Sequence, residues 1–330
     1  MPSAQSGVRN DEWAARPAKP PRSVFGNYRP KGDEVPSHDV ASQPPDEPNR
    51  LLGSVAASTG LQEAIDSAMA RASLYRFLAQ AYEDPTAEGW ATMTTSDCLR
   101  VLETALRNLT ATSSPVTATA DAFLSQLTPE AFESFHAAYL AAFGHAARGR
   151  CPLNEIEYGD IKADPLFQPH RLADLAAFYH AFGLEVAADA GERQDHICLE
   201  LEFMCVLAAK EAYALEHQLD TQDLSLCRDA QKQFLREHLG RWTPAFARRL
   251  ARMAGDTALG ALANLTCAFV EAECARYGIA PGSEDLLLRP VDQAAETMCN
   301  SCGLTQLPPG ALPPSPVLSL TTFLASNCSV

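Results

Sequence analysis

GERQDHICLELEFMCVLAAKEAYALE, residues 191–216, contains no proline and no glycine after its first residue. Its residue types favour helix and Asp195 reads as an N-cap, so Glu192–Glu216 is predicted to form one long central helix. On a 3.6-residue wheel Ile197, Leu201, Met204, Cys205 and Ala208 fall on one stripe, while Leu199, Phe203, Val206 and Leu207 spread onto the other side. A helix apolar almost all round must be covered on most faces. Its polar exceptions, His196, Glu200 and Glu211, either mark an apolar site with charged handles or are the water-reaching ends of a core helix.

Working outward, 330 residues with 46% apolar content suffice for one large core or two modest ones. The net charge is −15, from 26 basic and 41 acidic residues, and the first 60 positions balance, so the excess lies in the body. Such a body repels phosphate backbones and anionic lipid, which argues against nucleic acid or a membrane surface as direct partner. A basic partner fits, and so does plain solubility. The N-terminus lacks an apolar stretch after its charges, and the longest apolar run, Ala258 to Val270, is short and broken by Asn264 and Thr266. A cytoplasmic protein without membrane insertion is expected, its ten cysteines reduced thiols.

Three regions are predicted: a disordered proline-rich arm at 1–55, an all-helical domain at 56–279, and a flexible loop-like tail at 280–330. Helical spacing predicts helices at Leu61–Tyr82, Ser96–Leu109, Thr117–Leu127, Glu130–Phe143, Phe167–Phe182, the central helix, Thr221–Leu239, Pro244–Met253 and Thr257–Tyr277. Gly183, Gly240, Gly255 and Gly278 read as C-caps. No β-branched alternation is long enough for a sheet. The fold class is therefore all-α, a single bundle of roughly eight to ten helices. Residues 144–165, GHAARGRCPLNEIEYGDIKADP, form the one long irregular segment inside it and the leading candidate for a working loop.

The chain offers no nucleophile elbow, no H-E-x-x-H and no phosphate-cradling glycine loop. Glu200 and Glu202, two apart on a helix, point away from one another, whereas His196 and Glu200 share a face. Phe132, Phe135, Tyr139 and Phe143 stack along one helix side, a pattern more often core than site. Cys299-x-x-Cys302 is a zinc-type knuckle, and Cys267 and Cys274 stand about 10 Å apart by helix rise, too far to complete one tetrahedral ion. No cofactor is expected and Cys299 and Cys302 remain weak zinc candidates.

Several of these stretches together resemble a known family. Tyr139 with Phe143-Gly144, the run Cys151-Pro152-Leu153-Asn154-Glu155-Ile156-Glu157-Tyr158-Gly159, Leu172 to Tyr179, Ala181 to Leu184, and Glu192-Arg193-Gln194-Asp195-His196-Ile197 leading into Glu200 to Met204 are similar to the TorD/DmsD/NarJ chaperones. The resemblance implies a non-catalytic protein, monomer or homodimer, that holds the twin-arginine signal peptide and apo-form of a molybdopterin oxidoreductase catalytic subunit until the cofactor is inserted. It carries the peptide-binding surface onto Tyr139, Phe143, Pro152, Glu155, Tyr158, Asp195 and His196. Such a leader, two guanidinium groups before an apolar run, asks for an apolar groove with carboxylates at one end. Phe135, Tyr139, Phe143 and Tyr158 are expected to line it, with Asp195, Glu155 and Glu157 as its charged ends. The rival readings are a metal-dependent helical enzyme built round His196, Glu200 and His180, and a helical scaffolding or regulatory module.

Overall fold

In the computed structural model, the described residues are 48–110, 114–144, 149–159, 167–187 and 191–289. Most of the predicted arm and residues 290–330 of the predicted tail, with the Cys299–Cys302 knuckle, lie outside them. Ten α-helices are present among the described residues: α1 (Pro48–Ala81), α2 (Ala87–Met93), α3 (Ser96–Thr110), α4 (Ser114–Leu124), α5 (Phe132–Phe143), α6 (Phe167–Ala181), α7 (Ile197–Glu216), α8 (Thr221–Glu237), α9 (Leu239–Ala254) and α10 (Ala258–Arg276). The all-α bundle expected from the sequence is what the chain forms.

The centre is α7, which packs along α1 and against α8 and α9, while α10 lies along α9 and α4. Ile197, Leu199, Leu201, Phe203, Met204 and Leu207 are all buried, so both apolar faces of this helix are covered. A buried polar knot ties it to its neighbours. Arg71 of α1 donates to Glu273 of α10 (2.7 Å), to Glu211 of α7 (2.9 Å), to Tyr277 (3.1 Å) and to Gln231 of α8. Glu211 also accepts from Arg228 (2.7 Å) and Gln231 (2.9 Å). Burial would raise the Glu211 carboxyl, yet Arg71, Arg228 and Gln231 outweigh it and hold its pKa below the usual range.

Several boundaries differ from the sequence reading, each for a local reason. The central helix starts at Ile197 rather than Glu192, and its N-cap is His196 rather than Asp195. α1 begins at Pro48, inside the expected arm. The α3 cap is Thr95, whose Oγ1 accepts from Cys98 N, and α5 is preceded by a 3-10 turn at Pro129–Ala131. α2 carries too few apolar residues for periodicity to reveal it, although Trp90 and Met93 are buried.

Gly240 and Pro244, read as a stop and a start, both lie inside α9, and the break falls at His238. A Cβ at Gly240 would meet Leu235 O at 2.4 Å and Cys274 Sγ at 2.7 Å, so close packing requires glycine there. Pro244 has no N–H to give to Gly240 O; Gly282 N donates to that carbonyl instead at 2.9 Å. This contact docks the chain beyond α10 onto the bundle, and the folded body extends at least to Arg289.

α10, at 19 residues close to the Thr257–Tyr277 helix expected, is long and apolar enough to cross a membrane by length and composition, although its apolar run reads as short, and 67% of its apolar window is buried inside the bundle. Cys267 and Cys274 lie on it, and burial pushes both thiols up to about 12, against thiolate formation.

Candidate functional site

The described part of the working loop, residues 149–159, is stitched on two sides. Asn154 and His196 form an antiparallel bridge, with Glu155 N donating to Asp195 O (2.9 Å) and Ile197 N to Leu153 O (2.8 Å). Tyr158 and Leu288 form another, with Gly159 N donating to Leu287 O (3.1 Å) and Arg289 N to Glu157 O (2.9 Å). The loop thus joins the entrance of α7 to the segment that follows α10.

Its side chains anchor inward. The Tyr158 hydroxyl donates to Pro152 O at 2.8 Å, and its ring lies 5.1 Å from Trp242. Asp195 accepts from Asn154 Nδ2 (3.1 Å), Ile156 N (3.2 Å) and twice from Arg193 (2.9 Å each). With its carboxylate spent there, Asp195 cannot cap α7. His196 does so, its Nδ1 accepting from Cys198 N at 3.3 Å, while Nε2 stands 3.6 Å from Glu192. An accepting Nδ1 means that the proton of the neutral ring is on Nε2. Burial lowers the His196 pKa, with Glu192 and Asp195 opposing.

Glu155 faces the first turn of α9. It is 2.9 Å from His238 Nδ1, 3.0 Å from Arg241 Nη2 and 3.5 Å from Arg171. Burial would raise its carboxyl, but His238, Arg241 and Arg171 together leave it below the usual range. Glu200, one turn into α7, accepts from Trp242 Nε1 at 3.1 Å, and its other oxygen has no hydrogen-bond partner among the described residues. Burial and the neighbouring charge of Glu155 raise its pKa well above the ordinary value. Glu157 lies 3.8 Å from both Arg193 and Arg289.

The structure therefore brings Pro152, Glu155, Tyr158, Asp195 and His196 into one hydrogen-bonded unit. Tyr139 and Phe143 form a second group on α5, with ring centroids 4.5 Å apart and the Tyr139 hydroxyl donating to Tyr82 O at 3.0 Å. The two groups meet where Gly149 returns over α5, close enough that a Cβ would stand 2.4 Å from Phe143 O. All seven residues are buried. This corrects the expectation of an open apolar groove with free acid ends: Glu155 and Asp195 have no exposed surface and are neutralised by arginines of the same chain. A depression of about 250 Å³ does occur elsewhere, lined by Asp66, Met69 and Ala70 of α1 and Arg100, Val101 and Thr104 of α3.

Comparison with known proteins places the chain. A family model described as nitrate reductase delta subunit matches residues 109–248. The chain is 30% identical over 214 residues to the selenate reductase assembly chaperone protein of Thauera selenatis, covering 65% of this chain and 93% of that protein. The chain belongs to the TorD/DmsD/NarJ family. Within that family of chaperones it is also 28% identical over 216 residues to the perchlorate reductase assembly chaperone protein of Dechloromonas aromatica (64% of this chain, 91% of that one). To the chaperone protein TorD of Vibrio cholerae it is 31% identical over 117 residues, or 35% and 51% of the two chains. No solved structure matches.

What sequence reasoning missed in this TorD/DmsD/NarJ chain is the set of cations. Arg171, Arg193 and the pair His238 and Arg241 come from three separate segments, and nothing in their local sequence marks them as partners of one loop. The residues of the rival metal-enzyme reading go to separate partners: His180 faces Glu185 at 3.6 Å on the surface, His196 faces Glu192, and Glu200 faces Trp242. Among the described residues no three His, Cys, Asp or Glu side chains are grouped to hold a metal ion.

Proposed function

We propose that this chain is a cytoplasmic chaperone that binds the twin-arginine signal peptide and the apo-form of a molybdopterin oxidoreductase catalytic subunit, assisting cofactor insertion before export. The observation that carries this reading is the match along 93% of a selenate reductase assembly chaperone. The peptide site proposed is the outer surface of the loop that Pro152, Glu155, Tyr158, Asp195 and His196 hold in shape from beneath, with Tyr139 and Phe143 behind it.

The burial of the carboxylates sets how binding proceeds. Glu155, with no exposed surface, stays a structural anchor of the loop. Arg193 and Arg289, whose side chains are 48% and 43% exposed, form the accessible rim around Glu157. A peptide guanidinium entering there exchanges one cation for another, so the acids need not be stripped of a partner and left buried, the step that would cost most. No covalent chemistry is assigned to the site.

The test is affinity purification of the tagged full-length chain from cells expressing molybdoenzymes. Enrichment of a cofactor-free catalytic subunit supports the reading. Dominant enrichment of unrelated proteins, with no molybdoenzyme subunit, supports the scaffolding alternative.

A further inference from the structure

The second stitch of the loop is made by the segment beyond α10, of which the peptide-binding reading uses only Arg289. Residues 286–289, Leu-Leu-Leu-Arg, run antiparallel to 157–159. The hydrogen bonds flank the Tyr158–Leu288 pair rather than joining it, the arrangement in which two facing side chains lie closest on one face. Leu288 accordingly packs on the core beside buried Tyr158, whereas Leu287 alternates outward and is 64% exposed. The next side chain, Arg289, brings its guanidinium to 3.8 Å from Glu157. The segment thus offers the loop an apolar side chain beside an arginine on an extended backbone.

We infer that the edge at 157–159 is a slot for one extended arginine-bearing strand, and that residues 286–289 are its resident occupant, displaced when a client leader docks. This deepens the peptide-binding reading and rests on it. Strand addition suits a leader because main-chain pairing is indifferent to its exact sequence, while alternate side chains and Glu157 select an arginine next to apolar residues. At the slot itself the described contacts of the resident are two backbone hydrogen bonds, the packing of Leu286 and Leu288 on the core, and a half-exposed ion pair from Arg289 to Glu157, worth little on its own. Its tether is elsewhere. Gly282 is fixed under α9, where a Cβ would stand 1.8 Å from Arg241 O, and Arg248 pairs with Glu284 and Asp285. A strand tethered at one end and weakly paired at the other competes with an incoming peptide without leaving the protein.

The experiment titrates a synthetic twin-arginine leader peptide into the full-length chain and into two variants, Arg289→Glu, which repels Glu157, and Gly282→Ala, which undoes the tether by a clash. Amide exchange is followed at Gly159 and Arg289, and circular dichroism checks that each variant remains helical. In the wild type the leader should speed exchange at Arg289 N while Gly159 N stays protected by its new partner. Both variants should bind the leader about fivefold more tightly. Wild-type binding with Arg289 protection unchanged, and equal affinity in the variants, would overturn the resident-strand inference alone. No binding by any of the three would overturn the peptide-binding reading as well.

Discussion

Arg193 and Asp195, two positions apart, form a two-pronged ion pair, Nε to Oδ1 and Nη2 to Oδ2, each 2.9 Å. The pair shapes the turn into α7 and frees the cap position for His196. Removing Asp195 leaves Ile156 N, Asn154 and Arg193 without their common acceptor. Asp195→Ala should lower the unfolding free energy by about 2 kcal/mol, reduced from the fully buried case because Arg193 is half exposed. Urea denaturation measures this, and an unchanged midpoint would show the pair to be dispensable. A combined Asp195→Ala and His196→Ala variant consequently mixes lost folding with lost binding.

His196 makes the entrance of α7 sensitive to acid. Its folded pKa is depressed by burial, so the unfolded chain takes up a proton near 6.5 while the folded ring does not. The stability it supports is complete above about pH 6.5 and declines as pH falls from there toward the folded value. Protonation also converts the capping Nδ1 into a donor. Thermal melts between pH 7 and 5 should show this decline, and His196→Asn, which keeps a capping acceptor but cannot titrate, should flatten it.

Glu202 acts in the opposite sense. Burial, then the charge of Glu83, raise its pKa to about 8, with Arg76 opposing, and burial raises Glu83 to about 7. A carboxyl with a raised folded pKa contributes no penalty below about 4.5 and an increasing one as pH rises toward 8. Glu202→Gln should therefore stabilise the chain at pH 8, on the order of 1 kcal/mol, and have little effect at pH 4.5. A melting-temperature gain that is the same at both pH values would contradict this.

Arg71 is the most consequential single side chain of the bundle. Replacing it by methionine takes the arginine from the buried carboxylate of Glu273 and leaves Glu211 to Arg228 and Gln231, and should cost about 3–5 kcal/mol. The triple change to Arg71→Met, Glu211→Leu and Glu273→Leu should recover part of that loss, measured by chemical denaturation, because it also removes both acids.

The fold was largely legible because α7 and α10 carry long apolar periods without proline, and a helix buried on all sides must sit at the centre of a bundle. Gly240 and Pro244 misled because each usually ends or begins a helix. Here Gly240 is set by the nearness of Cys274, and the hydrogen bond that Pro244 cannot make is supplied from Gly282, some forty residues on. That the loop and the entrance of α7 come together was legible in the residues, but their burial was not. Glu155 carries no sign in the sequence of the arginines it meets, since Arg171 and Arg241 reach it only after the helices pack. For the same reason the part played by residues 286–289 was hidden inside what reads as a tail.

The central claim is that this loop face grips an arginine-bearing leader, and calorimetric titration of the full-length chain with a synthetic twin-arginine leader tests it most directly. Saturable binding is expected, falling at least about tenfold when both arginines of the peptide are changed to glutamine and weakening with added salt. Equal affinity for the two peptides, or no heat with either, would contradict it.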